Sequence, residues 1–262
     1  MLYTTRQEIL LRLAPRFGLA EARAMIRWME EEPDGSYNPQ EVTMRLLNNE
    51  PIQYIFGHTD WYGLRLNVNK HTLIPRPETA ELVDAVCGLT SVGNGLRVLD
   101  IGTGSGCIAI KLKQLRPLWD VHACDVSVEA IAVAEINAEN NLPSGQSRVH
   151  FFPCDILAFN PCEPISFDII VSNPPYIRKS EQADMPRNVL DYEPHSALFV
   201  PDDNPLLFYK RIASLQEHVQ LVFEINENLG SEMREMLQAE GYNNIQILKD
   251  LCGKERIVMA VR

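Results

Sequence analysis

From Thr5 to about Glu50, apolar residues recur at three- and four-residue spacing, through Ile9, Leu10 and Leu13 and again through Met44 and Leu47. That period sets them on one face of successive helices. Thr5-Arg6-Gln7-Glu8 has the form of a capping box, and Asn38-Pro39-Gln40-Glu41 repeats it with proline at the first helical position. The pattern predicts a small helical domain over residues 1–50, in which no side chain looks catalytic.

The texture changes between Pro51 and residue 77. Apolar and polar residues alternate around a glycine in DWYGLRLNVN, which predicts a short hairpin. TLIPRPET, Thr72–Thr79, places prolines on both sides of Arg76, so this segment reads as an extended arm leading into a helix from about Glu78.

From Leu96 onward, short Val- and Ile-rich runs alternate with longer helical patterns. LRVLDI, DVHACD, RVHFFP, FDIIVS, QLVFEI and RIVMAV read as strands, with helices over Cys107–Leu115 and through Ala130–Ala138. Continuous apolar strands between helices indicate a largely parallel sheet covered on both faces. The third domain is therefore expected over residues 78–262.

Composition narrows the function. The 262 residues are 45% hydrophobic, enough for a full core, and carry a formal charge of −11. Up to Ile74 there are 8 basic and 9 acidic residues, net −1; the remainder holds 16 and 26, net −10. Neither part resembles a phosphate-binding module. The six cysteines (Cys87, Cys107, Cys124, Cys154, Cys162 and Cys252) form no C-x-x-C pair and read as reduced, buried thiols of a cytoplasmic protein. The histidines are dispersed, so no metal site is expected. No signal peptide and no membrane span are read.

Candidate chemistry clusters at strand ends. In LDIGTGSGCIAI, Gly102, Gly104 and Gly106 lie between a strand and its helix, where glycine allows a tight turn and close approach of a ligand. The spacing is G-x-G-x-G rather than the dinucleotide fingerprint. Asp100, at the strand's end, would repel a pyrophosphate but suits a cation. Asp125 ends the next strand and can accept hydrogen bonds from both hydroxyls of a ribose. Asp155, after the following strand, can meet an adenine amino group. Capping of the next helices is the plain alternative for Asp125 and Asp155. Ribose, adenine and a positive centre together describe S-adenosylmethionine.

Asn173-Pro174-Pro175-Tyr176 stops the strand of DIIVS. An amide or exocyclic amino nitrogen is a poor nucleophile because its lone pair is delocalised. Two acceptors facing its N–H groups, the Asn173 side-chain carbonyl and the Pro174 backbone carbonyl, would return electron density and align the nitrogen with a methyl donor. The prolines make that carbonyl rigid in advance, and Tyr176 offers a flat face to a planar group.

These motifs resemble the class I methyltransferases that modify planar nitrogen. Glu50–Thr79, VLDIGTGSGCIAI, CDVSVEAIAVAEINA, DIIVSNPPYI and YEPHSALFVPDD together resemble the peptide chain release factor glutamine N5-methyltransferase family. The resemblance implies an α/β fold: a class I Rossmann-like, mostly parallel seven-stranded sheet, with a helical N-terminal domain and a hairpin linker over residues 51–77. It implies that Gly102, Thr103, Gly104, Ser105 and Gly106, with Asp125 and Ile156, line the donor pocket. Asn173 would touch donor and substrate; Asn173, Pro174, Pro175 and Tyr176 would hold the glutamine amide. Arg76 lies near the pocket or merely fixes the arm through a salt bridge. The implied substrate is the glutamine of Gly-Gly-Gln in release factors, recognised by the helical domain, with no direct nucleic-acid partner.

One departure is Asn226 in FEINENLG, where the family carries glycine. Asparagine tolerates a left-handed backbone, so the loop is expected to keep its path. Two other readings stand beside the first. One is methylation of an adenine N6, cytosine N4 or guanine N2 amino group on a flipped base. The other is a donor-binding regulator without turnover.

Overall fold

The computed structural model describes residues 5–32, 37–89, 95–143, 148–159 and 166–262. They form two compact units: residues up to Gly57 together with Met185–Tyr192, and His58–Asp184 together with Glu193–Arg262.

The first unit contains α1 (Arg6–Phe17), α2 (Leu19–Glu31), α3 (Pro39–Leu47) and α4 (Ile52–Phe56). Both predicted starts are where the caps put them. The Thr5 hydroxyl accepts from the Glu8 amide at 3.3 Å while Glu8 accepts from the Thr5 amide at 2.7 Å, a complete capping box. Asn38 accepts from the Gln40 amide at 3.0 Å, with Pro39 as the first residue of α3. The apolar stripes then close on one another through Ile9, Leu13, Ile26, Val42 and Leu46. The Tyr192 hydroxyl donates to the Asn48 carbonyl at 3.0 Å, fastening the returning segment to α3's end.

The second unit opens with β1 (His58–Trp61) and β2 (Leu64–Asn67), the expected hairpin. Its turn holds Tyr62 at φ 47° and Gly63 at φ 76°. Two consecutive left-handed residues make a tight turn whose twist matches that of the strands. Residues 68–78 follow without helix or strand and lead into α5 (Thr79–Gly88).

The remaining elements are β3 (Arg97–Ile101), α6 (Cys107–Leu115), β4 (Asp120–Asp125), α7 (Val128–Asn141), β5 (His150–Pro153), β6 (Ile169–Ser172), β7 (Ile177–Arg178), α8 (Arg187–Leu190), β8 (Phe199–Val200), α9 (Leu207–Ala213), β9 (Gln220–Glu224), α10 (Gly230–Ala239), β10 (Asn244–Lys249) and β11 (Glu255–Val261). Of these, α8 belongs to the first unit. The main sheet has seven strands in the order β10-β11-β9-β6-β3-β4-β5. Its five strands from β9 to β5 are parallel, and β11 runs antiparallel to both of its neighbours, β9 and β10. Val98, Ile169 and Val171 enter one apolar layer with α5 and α6; Leu99 and Ile170 enter the other with α9 and α10. Burial of both faces is why these strands read as unbroken apolar runs.

Three readings needed correction. β10 alternates polar and apolar residues at the sheet's edge, so it shows no apolar run and went unrecognised as a strand. Cys252 is exposed in the turn before β11, whereas Cys107 and Cys124 are buried and Cys87 and Cys154 half-buried; Cys162 lies outside the described residues. Asn226 is not left-handed. It accepts from the Asn228 amide at 3.0 Å in a turn that needs no glycine. Among the described residues, no helix is long and apolar enough to cross a membrane.

Candidate active site

The chain runs from β3 to β4 on one side, while β6 pairs with β3 on the other, so the strand order reverses between β3 and β6. Ligand crevices of open parallel sheets form at the carboxyl ends of such strands. A cavity of about 270 Å³ opens there. Gly102 and Gly104 line it after β3, Asp125 and Ser127 after β4, Asp155 and Ile156 after β5, and Asn173, Pro174 and Pro175 after β6. His71 and Leu73 of the arm, with Ser196 and Phe208, complete the wall.

The glycine turn is tied down from beneath. The Gly102 and Thr103 amides both donate to the Cys124 carbonyl, at 2.9 and 3.0 Å. The Gly104 amide donates to Asp125 Oδ2 at 2.8 Å, with φ 55° at Gly104 and open space where a Cβ would stand. Gly106 differs: at φ 82°, a Cβ would meet Ile110 Cδ1 at 2.9 Å and Ala134 Cβ at 3.0 Å. The first position keeps the cavity open; the second lets α6 pack on α7.

The three aspartates have different surroundings. Asp125 is not the cap of α7; Ser127 is, accepting from the Ala130 amide at 3.1 Å. Asp125 takes one backbone amide on each oxygen, Gly104 on Oδ2 and Ser127 on Oδ1 at 2.9 Å. A carboxylate has about four acceptor positions, so the amides leave it capacity to accept from a ligand in the cavity it lines. Burial raises its pKa, and these amides pull it back down. Asp155 is exposed at the lip and accepts from the Leu157 amide at 3.0 Å. Asp100 is fully buried under the turn and does not line the cavity. Its Oδ2 accepts from the Thr103 hydroxyl at 2.6 Å, and burial pushes the carboxyl up to about 7.

Asn173 has a partner that motif reading missed. Its Nδ2 donates to Thr79 Oγ1 at 3.3 Å, and that hydroxyl donates to Glu224 Oε2 at 2.7 Å. The direction of this chain fixes which end of the amide is engaged: the nitrogen faces Thr79, and the carbonyl oxygen is left to accept. Glu224 is buried at the end of β9, with its own carbonyl accepting from the Tyr209 hydroxyl at 2.8 Å. Burial raises the Glu224 pKa, opposed by the Thr79 hydroxyl and by Arg256.

Thr103, Ser105, Gly106, Tyr176 and Arg76 do not line the cavity. The Tyr176 ring packs against the α9–α10 layer, and its hydroxyl is raised by burial and by the neighbouring Glu224. Arg76 pairs with Glu193 at 2.6 Å, and the same carboxylate accepts from the Ile74 amide at 3.1 Å. The Arg76 carbonyl accepts from the Trp61 indole at 2.7 Å. Arg76 is thus engaged as the fastening of the arm, while the arm reaches the cavity through His71 and Leu73.

Residues 83–191 match the family described as Methyltransferase small domain. The release factor glutamine methyltransferase of Bacteroides thetaiotaomicron is 44% identical over 228 residues, 85% of this chain and 80% of that protein. Its counterpart in Enterococcus faecalis is 36% identical over 255 residues, 94% of this chain and 88% of that protein. This chain belongs to the release factor glutamine methyltransferase family. Among solved structures, a methyltransferase from Pyrococcus furiosus covers 84% of this chain and 97% of its own, with a TM-score of 0.52 at 18% identity. Human methyltransferase 10 domain containing protein gives 0.54 at 21% identity, covering 76% of this chain and 90% of its own. Those two likenesses concern the fold.

Members of this family are S-adenosylmethionine-dependent enzymes, and the residues here fit that donor. The cavity has the volume for a nucleoside ligand. Asp125 keeps acceptor capacity for ribose hydroxyls, and no Cβ occupies the space over Gly102 or Gly104.

Proposed function

We propose that the protein methylates the side-chain amide nitrogen, N5, of the glutamine in the Gly-Gly-Gln motif of peptide chain release factors, with Asn173 and Pro174 as the groups that hold that amide. The observation that carries this reading is the hydrogen-bond chain from Asn173 through Thr79 to Glu224, beside the glycine turn.

The bound donor supplies an electrophilic methyl on a positively charged sulfur. The chain's own part is alignment. Asn173 Oδ1 accepts one N–H of the glutamine amide and the Pro174 carbonyl accepts the other, which turns the nitrogen lone pair towards the methyl group. Both acceptors are set before substrate arrives: Asn173 through Thr79, and Pro174 through the restricted backbone of two prolines. An amide nitrogen becomes acidic only once alkylated, so its proton leaves to water and no general base is needed. Thr79 and Glu224 act as positioning residues, because they reach substrate only through Asn173. The glutamine comes from a larger partner, for which the helical unit supplies the recognition surface.

Mass spectrometry of the Gly-Gly-Gln peptide, from an unmethylated release factor incubated with the protein and S-adenosylmethionine, tests the proposal. One added methyl on the glutamine is expected. An unmodified peptide alongside a methylated adenine, cytosine or guanine in a nucleic-acid control would replace it with the base-methylating alternative.

A further inference from the structure

At the opposite end of β4 from the cavity, three ligating side chains meet. Asp120 begins β4 and His122 follows two residues later, so both leave the same face of the strand. Parallel pairing sets His150, the first residue of β5, in register with His122. The two imidazoles stack with centroids 4.8 Å apart and planes 28° apart. Both Nε2 atoms face Asp120 Oδ1, His122 at 3.1 Å and His150 at 3.6 Å. One ligand atom from each residue falls within 4.8 Å of the other two. The Asp120 and His150 side chains are 39% and 61% exposed, so the group can be reached from solution, while His122 Nε2 is buried beneath them.

We propose that Asp120, His122 and His150 bind a divalent transition cation of the zinc class, which ties the edge strand β5 to β4. Two imidazole nitrogens and one carboxylate oxygen suit zinc, cobalt, nickel or copper; magnesium and calcium favour all-oxygen sites. Ligands at about 2.0–2.1 Å in tetrahedral geometry stand about 3.4 Å from one another, and the Nε2–Oδ1 separations here already bracket that value. The other carboxylate oxygen, Oδ2, accepts from Arg97 Nε at 3.1 Å. An outer partner of this kind holds a ligating carboxylate in one orientation. His122 is held in turn by the edge of Phe167, with ring centroids 5.4 Å apart.

The ion would have no part in methyl transfer. Five residue steps separate Asp120 from Asp125, roughly 16 Å along a strand. What it would hold is β5, which among the described residues has no neighbour on its outer side and whose continuation, Asp155 and Ile156, lines the cavity. The inference therefore stands independently of which substrate is methylated.

The full chain, reduced and stripped with a chelator, is titrated with Zn²⁺ against a chromogenic competitor and with Co²⁺ while absorption is recorded. One equivalent is expected to bind, raising Tm, with a Co²⁺ spectrum free of sulfur-to-metal charge transfer. His150→Gln and Asp120→Asn are each expected to weaken Zn²⁺ binding about tenfold or more. Because His150 is more than half exposed, the metal-free His150→Gln protein should melt with the wild type. No binding at about 100 µM Zn²⁺, unchanged affinity in His150→Gln, or a thiolate band with Co²⁺ would each overturn the proposal.

Discussion

A side-chain amide has a donating end and an accepting end, and the role proposed for Asn173 requires the accepting end to meet the substrate. Thr79 settles the choice, since its hydroxyl proton goes to Glu224 and only its lone pairs are left for Asn173. Thr79→Val should lower the methylation rate about tenfold or more at saturating donor, with Thr79→Ser restoring most of it. The Val variant also removes one hydrogen bond from the buried Glu224, which keeps Arg256 and Tyr176 beside it, at about 0.5–1.5 kcal/mol in urea unfolding. Asp100 gives a pH signature. Its folded pKa, raised by burial to about 7, lies above the ordinary aspartate value, so the folded state retains the proton longer. The associated stability is complete at low pH and is lost as pH rises through about 7. Between about pH 5 and 8 the wild type should lose about 3 kcal/mol relative to Asp100→Asn, which cannot ionise. Gly102, Gly104, Asp125 and Asn173-Pro174-Pro175 were legible as cavity lining because each follows directly on a recognisable strand, whereas Tyr176, read as a face for the substrate, packs against the α9–α10 layer instead. Thr79 and Glu224 were not, because their meeting with Asn173 depends on how α5 lies against the sheet.

At the scale of elements, the arm shows how one carboxylate can fix an irregular segment. Glu193 is buried and accepts from both the Ile74 amide and the Arg76 guanidinium, while the Arg76 side chain keeps 35% of its surface in solvent. Removing the two partners should therefore be unequal. Arg76→Ala leaves a buried carboxylate with a single donor, about 2–4 kcal/mol, whereas Glu193→Ala leaves a cation that turns to water, about 1–2 kcal/mol. Chemical denaturation of both variants measures the difference. Gly106→Ala should destabilise by about 1–3 kcal/mol, since it combines a left-handed backbone with a clash against α7. Helices α1 to α3, the hairpin and the parallel strands followed directly from residue periodicity, whereas the short α4 and α8 of the first unit did not, being too brief to show a period. β10 did not, because an edge strand mixes polar and apolar residues much as a loop does. The Asp120–His122–His150 cluster was equally hidden: strand register, not sequence spacing, brings it together.

For the molecule as a whole, net charge and sheet topology pull in one direction. A charge of −11 gives no electrostatic gain on approach to nucleic acid. The strand-order reversal between β3 and β6 places the glycine turn and Asn173 at one crevice, although seventy residues separate them. The most direct test of the central claim pairs two measurements on the wild type and Asn173→Ala: donor binding by calorimetry, and release-factor methylation at saturating donor. The account predicts that the variant still binds S-adenosylmethionine but methylates the Gly-Gly-Gln glutamine at least about a hundredfold more slowly. A variant that methylates at the wild-type rate would show that Asn173 does not align the amide, and would contradict the mechanism.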